Sequence, residues 1–382
     1  MHTKILFVTS KHPFPSDSRD GGDSTVSEMI QALGNHCQMD ILCFREFDGC
    51  SEIPSVHEIF FQNIDFANYK LYSGKKGEKF LIRLQQAEIS AKKIANLAPN
   101  YDVIIVQHCM FLLKLLEIAA NVFEKIILFP MFTAMEYMMT KDFVPSEYVV
   151  AEKEALLHVP KFITPSNAER DVLINGYNVP SEKIFVIPRS VNEIKFTNHE
   201  SCRENLQLIY IASIRRQKAH KDALELFRRV KKSVPLAQMH CVGTIQDEDL
   251  FRGCMDFLSK YALKRDVIFH GTLNHMDMNR LLSSCDINIS VSLWETFGRG
   301  IFEGMAAGLP TVVLQRIRSI SDFPEDVHPI IVSCLEEMKD KILMLYKDAE
   351  FFNAESSKGK LVGEYLSFKK IQVSLRNIIL FD

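Results

Sequence analysis

Two glutamates flank a glycine-bearing turn in the stretch ISVSLWETFGRGIFEGMAAGLPTVVL, residues 289–314. Glu295 follows an apolar run that is typical of a buried strand. Glu303 lies eight positions later, inside a helix predicted over about residues 298–307. Gly308 can end that helix, because glycine adopts the backbone conformation of a helix stop without a steric penalty.

This arrangement is compatible with a ligand that carries both anionic oxygens and sugar hydroxyls. Gly298 and Gly300 would let a ligand approach the backbone, and the N–H groups at a helix start favour anionic oxygens. A carboxylate beyond the turn, at Glu303, can accept hydrogen bonds from a vicinal diol such as a ribose, and Glu295 can bind the hydroxyls of a second sugar. The alternative is two solvated glutamates on an ordinary strand–loop–helix unit, and the spacing alone leaves both interpretations open.

The composition limits the class of protein. A chain of 382 residues exceeds one usual core, so two domains are expected. The net charge of −3 gives no argument for a nucleic-acid partner, because nucleic-acid binders usually carry a basic excess. Nine scattered cysteines without a CxxC pair favour a reducing cytoplasm over a disulfide framework or a zinc site. No apolar stretch has the length of a membrane span, which predicts a protein that is soluble or at most peripheral to a membrane.

Short apolar runs alternate with amphipathic segments along the whole chain, which is typical of parallel-sheet α/β units. The fold class predicted is α/β with two doubly wound, Rossmann-like halves that join near residue 190. The predicted strands are 4–10, 39–44, 102–108, 125–130, 161–166 and 183–188 in the first half, and 206–213, 237–243, 266–271, 286–293, 310–314 and 328–333 in the second. Ligands of such sheets bind beyond the carboxyl ends of strands, so chemistry is expected in the loops that follow them.

The segment ETFGRGIFEGMAAGLP, residues 295–310, resembles the signature of glycosyltransferase family 4, which has the GT-B fold of two Rossmann-like domains facing a central cleft. The resemblance implies that Glu295 lies beside the donor sugar and that Glu303 binds the ribose of the nucleotide. It also implies that the turn containing Phe297, Gly298 and Arg299 binds the donor. Two residues depart from the family pattern: Gly304 stands where alanine is usual, and Gly300 where an apolar residue is common.

The resemblance extends over nearly the whole chain and is strong over residues 162–314. It implies an acceptor-binding domain over 1–189, a nucleotide-sugar-binding domain over 190–359, and a C-terminal helix over 360–382 that crosses back to the first domain.

The resemblance also identifies the cations of the donor site. Lys218 matches the family's phosphate-binding lysine, while Ser213 occupies the position of its arginine, for which Arg215 or Arg216 could substitute. A point cation is what a leaving diphosphate needs, since negative charge grows on it as the glycosidic bond breaks. Lys218 is expected to be exposed on its loop and to contribute little to stability. The alternative is a solvated lysine without a phosphate role, beside a charge pair that faces water.

In the first half, His108 is similar to the family's histidine near the donor sugar, and Gly21 with Gly22 is similar to a glycine pair that lets the first loop approach the donor phosphates or the acceptor. Without the resemblance, His108 would be interpreted as an ordinary core or loop histidine, and the glycine pair as a common turn.

Two further signals have competing interpretations. The acids at 247–249 open a predicted helix, where capping explains them better than a metal site. The segment 69–95 is basic and contains apolar residues; an amphipathic element on an anionic membrane and a mobile solvated loop explain it equally well.

Together these features predict a retaining glycosyltransferase that moves a sugar from a nucleotide diphosphate sugar to a glycan, lipid-linked or protein acceptor, without a metal or other cofactor. We expect it in the cytoplasm or on the inner face of the membrane, in glycan or cell-envelope polysaccharide or glycoconjugate synthesis. The rival is a non-catalytic GT-B subunit that binds a partner transferase or a peptide, for which Ser213 is the best support. A phosphorylase or epimerase on the same fold is a third, weaker option.

Overall fold

A computed structural model describes residues 3–10, 21–44, 56–61, 77–191, 194–198 and 205–381, apart from the side chains of 21–26 and 61. The described residues divide into two compact units. The first contains the residues up to 188 and those from 369 onwards, and the second contains residues 189–368.

The first unit is built on a seven-stranded sheet whose strands are all parallel. The strands are β1 (Lys4–Thr9), β2 (Gln38–Cys43), β3 (Val56–Phe61), β4 (Val103–Gln107), β5 (Ile126–Phe129), β6 (Lys161–Thr164) and β7 (Ile184–Val186). The strand order is β3-β2-β1-β4-β5-β6-β7. Strands β2 and β3 extend the sheet on one side of β1, and strands β4 to β7 extend it on the other, so the switch point lies between β1 and β4. All residues of β1 after Lys4 are buried, which explains its apolar sequence: helices cover both faces of such a sheet. The edge strand β3 was not predicted from the sequence.

The helices of this unit are α1 (Gly21–Leu33), α2 (Glu78–Leu97), α3 (Leu115–Ala119), α4 (Ala134–Met139), α5 (Ser146–His158) and α6 (Asn167–Tyr177). Helix α1 begins at Gly21, so Gly21 and Gly22 form its first turn and do not lie in a loop. That placement corrects the expected loop, and the approach of this glycine pair to the donor phosphates or the acceptor stays a prediction. Residues 11–20 lie outside the described residues.

Helix α2 covers the described part of the segment 69–95, of which residues 69–76 are not described. Its buried face, which includes Phe80, Ala87 and Ile94, packs inside the unit. Lys79 pairs with Asp142 and Lys92 with Glu88. The described part is therefore an ordered helix and not a mobile loop, and membrane contact stays a prediction. Among the described residues, no helix is long and apolar enough to cross a membrane.

The second unit repeats the plan with six parallel strands. They are β8 (Gln207–Ile211), β9 (Gln238–Val242), β10 (Val267–Gly271), β11 (Ile287–Ser290), β12 (Thr311–Leu314) and β13 (Ile330–Val332). The helices are α7 (His220–Ser233), α8 (Glu248–Lys260), α9 (His275–Ser284), α10 (Arg299–Ala306), α11 (Leu335–Lys347) and α12 (Ala349–Tyr365). The strand order is β10-β9-β8-β11-β12-β13, so the switch point of this sheet lies between β8 and β11. The loops that follow these two strands are adjacent there, and ligands of such sheets bind at this point.

The C-terminal segment differs from the single helix expected over 360–382. Helix α12 ends at Tyr365, and α13 (Phe368–Arg376) follows with a π-helical turn over Asn377–Phe381. Helix α12 packs closely on the end of α10, where the Ser356 hydroxyl donates to the Gly308 carbonyl at 2.6 Å. From residue 369 onwards the chain belongs to the first unit.

Candidate functional site

A buried ion pair joins the loops that follow β8 and β11. Lys218 Nζ lies 2.6 Å from Oε1 and 2.7 Å from Oε2 of Glu295. The two side chains are only 12% and 9% exposed. This corrects the expectation of an exposed loop lysine. Burial lowers the pKa of Lys218, and the adjacent Glu295 carboxylate opposes that effect.

The same two loops are cross-linked by further hydrogen bonds. The buried Tyr210 hydroxyl donates to the Lys218 carbonyl at 2.5 Å and lies 3.1 Å from Ser292 Oγ. Gln217 Nε2 donates to the Trp294 carbonyl at 2.6 Å, and the Leu293 N–H donates to the Gln217 carbonyl at 2.8 Å. These hydrogen bonds hold the two loops together, so the Lys218 ammonium group is kept in a fixed position.

Arg215 and Arg216 differ in their surroundings. Arg215 is half-buried and close enough to Lys218 for its charge to contribute to the lowered pKa of the lysine. Arg216 is exposed. Of the two candidates for the cation absent at Ser213, Arg215 therefore lies nearer to the pair. Ala219, next to Lys218, adopts a left-handed backbone with φ 47°, which costs a non-glycine residue about 1–2 kcal/mol. Such strain often accompanies functional loops.

Helix α10 begins directly after the glutamate-bearing loop. Gly298 precedes it in the left-handed conformation, with φ 85°, which side chains adopt at a cost. The first N–H groups of a helix lack partners within it and attract anions. Arg299 and the half-buried Glu303 are four residues apart and so lie on one face of α10.

The side chain of Phe297 lies in an apolar cluster and not in the turn itself. Its ring centroid is 5.0 Å from that of Phe302 and 6.0 Å from that of Phe323. The Phe297 carbonyl accepts a hydrogen bond from the buried Ser319 hydroxyl. The buried ring thus holds the turn in place. Any contact of Phe297 with a donor nucleotide sugar would have to come from its backbone. Trp294 is also buried, so its side chain packs inside the unit.

Gly300 and Gly304 face the protein and not a ligand, which corrects the expectation for Gly300. A Cβ on Gly300 would lie 2.4 Å from the Ile211 carbonyl oxygen of β8. A Cβ on Gly304 would lie 2.2 Å from Nδ2 of Asn288 in β11, which donates to the Gly300 and Ile301 carbonyls at 3.1 and 3.3 Å. Both departures from the family pattern therefore bring α10 close to the sheet.

Replacing Gly304 with alanine should destabilise the second unit by about 2–3 kcal/mol, because the new methyl group displaces Asn288. Adding Asn288→Ala should recover part of the loss; recovery is partial since the Asn288 Cβ would still lie 2.7 Å from the new atom. The control is Gly363→Ala in α12, where no atom lies within 4 Å of the added Cβ, and which should stabilise by about 0.5–1 kcal/mol. Denaturant unfolding measures all three variants. Equal stability of the Gly304 and Gly363 variants would contradict the packing argument.

His108 follows β4 at the switch point of the first sheet. Its backbone is strained, with φ 94°, and its Nδ1 accepts a hydrogen bond from the Met110 N–H at 3.1 Å. Burial and the charge of Arg83 lower the pKa of His108 to about 3. The ring is therefore neutral near pH 7 with its hydrogen on Nε2, so it presents a single N–H donor.

The acids at 247–249 behave as expected for a helix start. Asp247 Oδ1 accepts from the Leu250 N–H at 2.9 Å and caps α8, whose first turn contains Glu248 and Asp249. Within the parts of the chain that the structure describes, no three His, Cys, Asp or Glu side chains are grouped as metal ligands.

The sequence is similar to that of known glycosyltransferases. Residues 191–358 match the family model "Glycosyl transferases group 1". An uncharacterized glycosyltransferase of Methanocaldococcus jannaschii is 23% identical over 164 residues, which are 40% of this chain and 41% of that protein. The match thus spans about two fifths of the length of this curated relative.

Solved structures match over almost the whole chain. Sucrose-phosphate synthase from Thermosynechococcus elongatus has a TM-score of 0.75 at 15% identity and covers 98% of both chains. Anabaena HepE in complex with UDP and glucose has a TM-score of 0.72 at 15% identity and covers 99% of both chains. With the two doubly wound sheets described above, these similarities identify the fold as GT-B.

Several residues of this site were missed by sequence reasoning. Tyr210 and Asn288 look like ordinary strand residues, and Arg316, which lies after β12, has no motif around it. Arg316 Nε donates to the Ser292 carbonyl at 2.9 Å, and its guanidinium also reaches Asp222 at 3.1 Å. The one available signal was a polar residue within or directly after an apolar run, as at Asn288.

Proposed function

We propose that this protein is a glycosyltransferase that moves a sugar from a nucleotide diphosphate sugar to an acceptor hydroxyl with retention of configuration. The observation that carries the proposal is the buried Lys218–Glu295 pair beside the start of α10, at the switch point of the second sheet. This arrangement combines a cation, an anion-binding helix start and a carboxylate for hydroxyl groups within adjacent loops.

In this mechanism the second unit stabilises the leaving diphosphate. Lys218 and the N–H groups at the start of α10 neutralise the charge that develops on it as the glycosidic bond breaks. The acceptor hydroxyl attacks from the face that the diphosphate leaves, and a diphosphate oxygen takes its proton. Glu295 binds hydroxyls of the donor sugar, and Glu303 binds the ribose diol. In the first unit, neutral His108 donates from Nε2 to a sugar oxygen.

We assign a uridine nucleotide to the donor because a structure of the same fold contains UDP and glucose. The acceptor is a glycan, a lipid-linked glycan or a protein, within glycan or cell-envelope polysaccharide or glycoconjugate synthesis. We place the protein in the cytoplasm, including the inner face of the membrane, because nine scattered cysteines without a CxxC pair favour a reducing compartment.

The rival, a non-catalytic GT-B subunit, rested on Ser213 in place of an arginine. Arg215 reduces that support, because a half-buried guanidinium near Lys218 supplies the missing positive charge from the same loop.

The test is transfer from UDP-sugars, first screened by thermal shift with UDP, GDP, ADP and dTDP. We expect UDP to raise the melting temperature, and NMR of the product to show an unchanged anomeric configuration. Transfer should persist after exhaustive chelation, since Lys218, Arg215 and α10 supply the positive charge. If no nucleotide shifts the melting temperature, the result favours the non-catalytic GT-B subunit. If EDTA abolishes transfer and manganese or magnesium restores it, the metal-free mechanism is wrong.

A further inference from the structure

A buried carboxylate lies behind His108 in the first unit. Glu152, on α5, is 0% exposed and accepts hydrogen bonds from three separate segments. Cys109 Sγ donates to its Oε1 at 2.8 Å, while the Ala134 N–H, at 2.7 Å, and the Tyr177 hydroxyl donate to its Oε2. A buried carboxylate is tolerated only when donors satisfy it, and here both oxygens are satisfied.

Two of these donors lie at the carboxyl edge of the sheet. Cys109 follows β4, and Ala134 is the first residue of α4, which follows β5. Strands β4 and β5 are paired neighbours, and the His108 N–H donates to the Phe129 carbonyl at 2.8 Å. Glu152 thus ties together the two loops beside His108, at the edge where ligands of such sheets bind.

The backbone of His108 needs such support. A φ of 94° in a non-glycine residue costs about 1–3 kcal/mol and persists only where the surroundings impose it. The neighbouring Cys109 is fully buried, and its thiol is fixed by Glu152. Burial and the Glu152 charge raise the pKa of Cys109 well above its usual value, so the thiol stays protonated and remains a donor.

A gain in stability is a weak explanation for a buried carboxylate at position 152. Replacing buried charged groups with apolar residues of similar volume is often neutral or stabilising. Arg83 on α2 provides a positive charge that acts on both His108 and Glu152. Burial raises the pKa of Glu152, while its three hydrogen-bond donors and the charge of Arg83 oppose that effect. The cluster therefore links the Glu152 carboxyl group to the position of the His108 ring.

We propose that Glu152 is a positioning residue: through the thiol of Cys109 it holds His108 in the strained conformation in which Nδ1 accepts from Met110 and Nε2 keeps its hydrogen. The inference rests on the proposed function for its kinetic consequence, because His108 acts there as a donor to a sugar oxygen. Its structural consequence, a single fixed tautomer of His108, does not depend on that function.

The experiment compares Cys109→Ala, Cys109→Ser and Tyr177→Phe. Cys109→Ala removes the link to His108, and Cys109→Ser retains a hydroxyl donor. Tyr177→Phe is the matched control, because it removes another donor from the same carboxylate without changing the His108 segment. Each variant is measured by denaturant unfolding, by kcat and KM for a UDP-sugar, and by the 15N chemical shifts of the His108 ring.

We expect Cys109→Ala to lower kcat at least tenfold with KM for the donor changed less than about twofold, and Cys109→Ser to restore most of kcat. In Cys109→Ala the His108 15N signals should move from one tautomer toward a mixture. Tyr177→Phe should lose stability and keep both kcat and the tautomer. The proposal is overturned if Tyr177→Phe and Cys109→Ala lower kcat equally, or if the His108 signals are the same in all variants. Should the wild type transfer no sugar, the proposed function fails, and the 15N signals still decide the positioning role.

Discussion

Replacing Lys218 with alanine should lower the turnover of sugar transfer by at least about two orders of magnitude, the scale seen when one preorganised electrostatic group is removed. Charge on the diphosphate grows toward the transition state, so the cation should lower the barrier more than it tightens nucleotide binding. Lys218→Arg should restore activity only in part, since a planar guanidinium replaces a compact ammonium.

The same variant should also lose stability, by about 3 kcal/mol, because it leaves the buried Glu295 carboxylate without its partner. A second substitution separates the two effects. The double variant Lys218→Met with Glu295→Gln removes both charges, so it should recover stability without recovering turnover.

The matched control is Lys231→Ala. Lys231 pairs with Asp266 at 2.7 Å in the same unit, and the two side chains are 18% and 24% exposed. Since it lies on α7, away from the loops after β8 and β11, its loss should cost about 1 kcal/mol and leave turnover unchanged. If the double variant regains both stability and turnover, Lys218 has only a structural role.

Much of the fold could be predicted from the sequence because the sheets are parallel and buried. Strands such as β1 and β5 contain continuous apolar runs, which mark buried strands clearly. The edge strand β3 lacks this signal: His57 and Glu58 are exposed, so VHEIFF does not have the pattern of a central strand. The start of α1 at Gly21 was missed because a glycine pair ordinarily indicates a turn.

The site was predictable at the level of segments but not of side-chain surroundings. Lys218 and Glu295 are 77 residues apart, and only the adjacency of β8 and β11 brings them together. Their burial could not be read from either loop, which is why Lys218 was expected to be exposed. Similarly, a glycine is needed at position 304 because the Asn288 side chain occupies the space of a Cβ there. Asn288 lies sixteen positions earlier in the sequence and on a different element. Such contacts are set by packing between elements, which periodicity and motif spacing do not encode.

Replacing Glu303 with alanine should weaken the binding of UDP at least tenfold, about 1.4 kcal/mol, the scale of a charge-assisted hydrogen bond. Glu303 is half-buried on α10, four residues after Arg299, while Ile301 and Phe302 of the same helix are buried in the unit. Its position beyond the first turn is suited to a ribose diol and not to the diphosphate.

The role of Glu303 is tested by a cycle that pairs the substitution with a change in the ligand. Wild-type protein should bind 2′,3′-dideoxy-UDP at least tenfold more weakly than UDP, since the carboxylate loses both hydroxyl donors. Glu303→Ala should bind the two nucleotides with affinities within about twofold, because the interaction that distinguishes them is already absent. Calorimetry measures all four affinities, and denaturant unfolding checks that the variant retains its fold. If the variant still distinguishes UDP from the dideoxy nucleotide as strongly as the wild type does, another group binds the ribose and Glu303 has no part in donor recognition.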